Sequence, residues 1–231
     1  MSKPVPITDP LALTWIEHQK REHVPPNTVL RRTATLRSIG NAGTATREDI
    51  EAWWATRRDL SPATRSNDLA NLRAFYKWCR RWEHRDDDPT ARLDAPKVDK
   101  GLPRPLSRAD LHRLLAVLPD DLRRAVALGA YAGLRVSEVA ALHWHDVDLE
   151  ARRARILHGK GNKSRLVALG AVLIDQLLPD TGGNVVTGTP KAYTAATLQR
   201  RINRAIHRAG IDATFHQLRH RYGTLAYQAT R

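Results

Sequence analysis

Apolar residues recur along this chain at helical spacing, in two groups parted by a proline-rich seam. In the first group, Asp9 is placed to cap a helix with Pro10 at its first position, running through Leu13, Trp15 and Ile16. Pro25-Pro26-Asn27 breaks the chain before a second helix holding Val29, Leu30, Leu36 and Ile39. Thr46-Arg47-Glu48-Asp49 opens a third in a capping-box pattern, over Ile50, Trp53 and Trp54. Ser61-Pro62 starts a fourth, the longest, reaching Trp82. There Leu69, Leu72, Tyr76, Cys79 and Trp82 recur three or four apart, with Phe75 beside them, and predict a core-facing stripe.

The seam runs from Asp86-Asp87-Asp88-Pro89 to Pro103-Arg104-Pro105, and its prolines predict an extended linker. Beyond it, Ser107 opens a helix with Leu111, Leu114, Leu115 and Leu118 as its stripe. Leu122 to Tyr131 follows, then Gly133-Leu134-Arg135-Val136-Ser137-Glu138 and a helical run to Leu142. Arg153 to Leu157 and Arg165 to Leu169 predict two strands around the turn His158-Gly159-Lys160-Gly161-Asn162-Lys163, whose Gly and Asn suit positive backbone angles. Thr197 to Ala209 predicts a basic amphipathic helix with Leu198, Ile202 and Ile206 inward and Arg200, Arg201, Arg204 and Arg208 outward. A last helix is expected from about Phe215 to Ala229. The predicted fold class is mainly α, with a small antiparallel β-hairpin or sheet in the second domain.

Charge narrows the picture. The 231 residues carry 38 Lys+Arg against 24 Asp+Glu, a formal net charge of +14. Such a field raises the on-rate for an anionic partner, and a polyanion is the expected one. The second segment, 98–231, holds 21 basic and 11 acidic residues, a net +10; residues 1–97 hold 17 and 13, a net +4. On the fourth helix Arg65, Arg73, Lys77, Arg80 and Arg81 share a face, and no acidic residue lies between Asp68 and Glu83. Phosphate contact therefore explains that face better than internal ion pairing. Apolar residues at 42% support a packed core, and no apolar run approaches the ~18–20 residues that span a bilayer. The single cysteine, Cys79, excludes disulfides within the chain and thiolate zinc sites. A cytoplasmic, DNA-associated location is expected.

Candidate chemistry gathers in two places. Arg135 stands at a glycine-led helix start, and His216, Arg219 and His220 share one face at three- and four-residue spacing. A His pair four apart is also a possible metal site. That alternative lacks a third ligand at sensible spacing, because His143-Trp144-His145 is the only other cluster and nothing ties it to His216.

Gly133-Leu134-Arg135-Val136-Ser137-Glu138, Gly159-Lys160-Gly161-Asn162-Lys163 and His216-Gln217-Leu218-Arg219-His220 resemble, in order and separation, the three successive signatures of the tyrosine recombinases. These are the phage-integrase and Xer-type site-specific recombinases. The resemblance covers nearly the whole chain. It implies a helical core-binding (SAM-like) DNA-binding domain over 1–85, an interdomain linker over 86–105 and an α+β catalytic domain over 106–231. It also implies strand cleavage through a 3′-phosphotyrosine without metal or cofactor, so that fixed cations stabilise the transition state.

Residue by residue, the resemblance makes Arg135 and Arg219 the clasp on the non-bridging oxygens and Lys160 the acid that protonates the leaving 5′-oxygen. His216 would hydrogen-bond the phosphate or assist proton removal. Glu138 would orient Arg135, and His220 would buttress the site. Arg65, Arg73, Lys77, Arg80, Arg81, Lys163, Arg165, Arg200, Arg201 and Arg204 are the expected DNA contacts. The family's nucleophilic Tyr lies a few dozen residues beyond the second arginine, whereas only 12 residues follow Arg219. The expectation is a C-terminally truncated chain that binds duplex DNA but holds no nucleophile. Tyr222 takes the place of a packing aromatic, and Tyr227 points along its helix. A homotetramer on DNA is expected of a full-length parent, and the missing segment argues against it for this chain. Two alternatives share the charge and fold: a non-cleaving DNA-binding regulator or competitor at attachment sites, and a type IB topoisomerase-like activity.

Overall fold

The protein is described by a computed structural model covering residues 6–99, 101, 104–157, 164–177, 183–187 and 192–229. The chain divides into two compact units, Met1–Lys100 and Gly101–Arg231, each with its own core.

The first unit is built of four helices: α1 (Pro10–Arg21), α2 (Pro26–Ile39), α3 (Arg47–Thr56) and α4 (Pro62–Arg81). Their starts follow local chemistry. Asp9 Oδ1 accepts from the backbone N–H groups of Leu11 and Ala12 at 2.9 and 3.1 Å. At α3 the capping box closes in both directions, Asp49 N to Thr46 Oγ1 at 3.2 Å and Thr46 N to Asp49 Oδ2 at 2.9 Å. Leu69, Leu72, Phe75, Tyr76 and Cys79 of α4 are buried against Trp15, Leu36 and Ile50.

Trp82, expected in that stripe, is 55% exposed. The helix ends at Arg81, so Trp82 falls on its C-cap and Trp78 takes the inward place, with the His18 ring 5.6 Å from Trp82. The proline-rich seam, expected to be an extended linker, begins instead with a local turn at residues 89–92. Asp88 Oδ1 accepts from the N–H and the hydroxyl of Thr90, and Thr90 and Leu93 are buried in the first unit.

The second unit contains α5 (Arg108–Val117), α6 (Asp120–Tyr131), α7 (Val136–Ala141), α8 (Ala171–Ile174), α9 (Ala195–Arg208) and α10 (Phe215–Ala229). Between α7 and α8 lie three short strands, β1 (Val147–Asp148), β2 (Arg153–Ile156) and β3 (Arg165–Ala168), in an antiparallel sheet of order β1-β2-β3. The two expected strands are present, each one residue shorter, and β1 was not foreseen: two residues carry no readable alternation. The β2–β3 register pairs Ile156 with Arg165 and Ala154 with Val167.

Helix α6 is the hub, touching α5, α7, α8, α9 and α10. Ala125 to Ala130 are all buried, so it packs on every side rather than along one stripe. Its closest neighbour is α10. A Cβ on Gly129 would sit 2.8 Å from Phe215 Cζ, so glycine is what lets the two helices meet there. Leu198, Ile202 and Ile206 of α9 are buried as the pattern required.

Gly129→Ala therefore overpacks the hub. It is expected to lower the stability of the second unit by about 1–3 kcal/mol in urea unfolding. Combining it with Phe215→Leu should recover part of the loss. An unchanged midpoint for Gly129→Ala would contradict this packing.

Candidate functional site

Chain reversal after α6 sets the first arginine. Gly133 has φ +63°, a left-handed conformation suited to glycine, and a Cβ there would collide with the Tyr222 ring. Two residues on, Arg135 is the N-cap of α7 with an extended backbone. Its N–H donates to Glu138 Oε2 at 2.8 Å and its Nη1 donates to Glu138 Oε1 at 2.8 Å. The carboxylate thus caps the helix start and grips the same residue's guanidinium, a favourable charge at a helix N-terminus.

The second arginine comes from α10. The start of this helix is pinned by Phe215 N donating to Asn203 Oδ1 at 2.9 Å and by burial of Phe215 and Leu218. That leaves His216, Arg219 and His220 on the remaining face. Arg219 Nη1 donates to the carbonyl oxygen of Gly133, which brings α10 to the turn that precedes Arg135. The His216 and His220 rings meet edge to face with centroids 4.4 Å apart. Arg219, His216, His220, Arg165, Tyr222 and Tyr227 line an open cleft of about 740 Å³. Tyr227, expected to point along its helix, in fact borders the site because it lies about two turns beyond Arg219 on the same face.

Arg165 was expected as a DNA contact, and its position is more specific. Its Nη1 donates to Glu138 Oε1 at 2.9 Å and its Nη2 to Glu138 Oε2 at 2.8 Å, a bidentate pair from β3 to α7. Strand alternation carried the missed signal. Arg165 and Val167 share a face, and Val167 is buried. A charge on the inward side of a strand needs a partner.

The electrostatics follow from this packing. Burial by itself would push the Glu138 carboxyl up, but hydrogen bonds from Arg165 and from the backbone and side chain of Arg135 hold it at about 2. His216 is pressed below the ordinary histidine value by burial and by the neighbouring His220, Arg219 and Arg135. These neighbours favour the neutral imidazole over the imidazolium. Arg219 is lowered by burial and by Arg135, as expected where two cations face one space.

Other expected residues are placed as follows. Lys160 and Lys163 lie outside the described residues. In the first unit Arg73, Lys77, Arg80 and Arg81 line one shallow depression with Asp88. Arg65 stacks 4.6 Å over the Trp54 ring, and Arg73 donates to the Leu93 carbonyl. On α9, Arg200 and Arg204 are exposed, while Arg201 lies 5.1 Å over the Tyr193 ring and 3.9 Å from Asp121. Among the described residues, no group of three or more His, Cys, Asp or Glu could hold a metal ion. No helix among them is long and apolar enough to cross a membrane.

A cleft lined by Arg165, Arg219, His216 and His220, with Arg135 held beside it by Glu138, sits on a fold whose class comparison with known proteins assigns. The phage integrase family matches residues 105–230, and the chain belongs to that family. Tyrosine recombinase XerD of Pseudomonas aeruginosa is 33% identical over 192 residues, 74% of this chain and 64% of that protein. Tyrosine recombinase XerD of Xanthomonas axonopodis pv. citri is 43% identical over 123 residues, 51% of this chain and 40% of its own length. The chain thus spans about two-fifths to two-thirds of these curated relatives. A lambda integrase dimer bound to a core site shares the fold, with a TM-score of 0.78 at 16% identity over 95% of this chain and 89% of that one.

Both titrating groups destabilise the fold in acid. The depressed His216 value makes the unfolded chain bind protons first as pH falls through about 6.5, so stability declines there. Glu138 contributes stability that is complete above the unfolded glutamate value and is lost as pH falls toward 2. Calorimetry on Glu138→Gln should show lower stability than wild type at pH 7 and a flatter decline below pH 4.5. Parallel profiles for the two proteins would contradict the ionised, bonded carboxylate.

Proposed function

We propose that this chain is the DNA-binding and phosphate-holding part of a site-specific tyrosine recombinase. The observation that carries the proposal is that Arg219, which lines one cleft with His216, donates to the Gly133 carbonyl two residues before Arg135, whose guanidinium Glu138 holds; the two segments lie more than 80 residues apart. In this reading Arg135 and Arg219 clasp the non-bridging oxygens of the scissile phosphate. Fixed guanidiniums lower the cost of the extra negative charge that develops as the nucleophile attacks. Glu138 keeps Arg135 in place and prevents the cations from summing unopposed. Neutral His216 accepts a hydrogen bond or the proton of the attacking hydroxyl. Lys160 is proposed to protonate the 5′-oxygen as it leaves.

The attacking tyrosine is proposed to come from outside these 231 residues. Tyr222 packs on Gly133, Tyr76 is buried with its hydroxyl on the Ala42 carbonyl, Tyr131 packs against the second core and Tyr193 donates to Asp121. Tyr227, exposed and lining the same cleft as His216 and Arg219, is the in-chain alternative that the trapping experiment below decides. Duplex DNA is the proposed substrate. Arg65, Arg73, Lys77, Arg80 and Arg81 of the first unit and Arg200, Arg201 and Arg204 of the second would hold its backbone, and the working assembly of the longer protein would be a homotetramer on DNA. A lambda integrase of the same fold bound to DNA as a dimer supports the DNA contact, and one bound to a Holliday junction as a tetramer supports the assembly. A regulator that binds without cleaving would use the same basic surfaces, but it leaves the Arg135–His216–Arg219 arrangement without a purpose.

Two measurements test the proposal. Affinity for duplex DNA should fall steeply with salt, and Lys77→Gln and Arg80→Gln should each flatten the log–log slope by about 0.9. A salt-independent affinity would refute DNA binding. On a nicked suicide duplex carrying an attachment site, residues 1–231 should bind and trap no adduct. An adduct on Tyr222 or Tyr227 would place the nucleophile within this chain.

A further inference from the structure

We infer that Arg165 is a positioning residue for the phosphate site, acting through Glu138 to hold Arg135. The inference rests on the phosphate-site reading above and goes beyond a general DNA contact for Arg165. Glu138 is almost wholly enclosed, its side chain 3% exposed, and it receives four donors, two from Arg135 and two from Arg165. The two from Arg135 are local, within one helical turn. An i,i+3 pair with a partly exposed arginine contributes little by itself, and it leaves the Arg135 guanidinium free to swing.

Arg165 supplies what that local pair lacks. It comes from another element, it occupies both carboxylate oxygens, and its own position is fixed by the strand register opposite Ile156. With both terminal nitrogens on the carboxylate, its effect on a phosphate passes through Glu138. A planar fork also fixes the carboxylate plane, which a single-point ammonium does not. Lys160 lies five residues before Arg165 in the chain. The strand that follows Lys160 and the helix that presents Arg135 are therefore tied to one carboxylate.

The test is isothermal titration of the 1–231 chain with inorganic phosphate at low salt and pH 7. Arg135→Ala should lose phosphate binding, and Arg165→Gln should weaken it about tenfold, the scale of one charge-assisted hydrogen bond. Arg165→Lys keeps the charge beside Glu138 without the fork. It should fold as wild type and weaken binding to an intermediate extent, so it decides the matter if Arg165→Gln does not fold. The double variant Arg165→Gln/Glu138→Gln should bind as Glu138→Gln alone does, within about twofold, because both changes remove one connection.

Wild-type affinity in Arg165→Gln and Arg165→Lys, with binding lost in Arg135→Ala, would overturn the inference and leave the phosphate site standing. Multiplying losses in the double variant would also overturn it, by making Arg165 a direct phosphate contact. Unchanged binding in Arg135→Ala would overturn the phosphate site and this inference together.

Discussion

One carboxylate organises the second unit's functional end. Glu138 is buried, yet it stays ionised because it accepts a backbone N–H and three guanidinium N–H bonds from residues on two elements. Removing any single partner would leave an enclosed charge short of compensation, which is the costly way to break a buried ion pair. Satisfying it fully gathers two arginines at one point. The carboxylate also caps α7, so the helix start, the strand start and the guanidinium positions are set by the same few bonds.

The scaffold around it supplies the rest. Helix α6 packs on every side and ends in the Gly133 turn, which is bonded to Arg219 and covered by Tyr222. The close approach at Gly129 seats α10, and the buried Phe215 and Leu218 turn His216 and Arg219 outward. Cations that would repel in isolation are thereby held together by packing energy drawn from elsewhere in the core. The same neighbours disfavour the imidazolium form of His216, so the site sets fixed positive charge beside an imidazole biased toward its neutral form.

Much of this was legible from the residues where the physics is local. Asp9 before Pro10, the Thr46–Asp49 box and the spacing of Leu69, Leu72, Tyr76 and Cys79 each specify their element within a turn or two. The motifs around Arg135 and Arg219 were visible too, although their convergence depends on a tertiary contact between α6 and α10 that no local pattern encodes. The remaining features have longer-ranged determinants. Trp82 continued the apolar rhythm but lay just past the last helical turn. Arg165 looked like one more basic residue near a hairpin, and its partner stands 27 residues earlier, identifiable only through strand register. The two-residue β1 was too short to announce itself.

The central claim is that Glu138 remains an ionised, fully bonded carboxylate between Arg135 and Arg165. Side-chain carboxyl NMR of the intact chain, with the Glu138 resonance assigned by comparison with Glu138→Gln, measures this directly as pH is lowered. The resonance should still report a carboxylate at pH 4, with its titration centred at about 2. A midpoint at or above the ordinary glutamate value of about 4.3 would show that the arginines do not hold it, and would contradict the account.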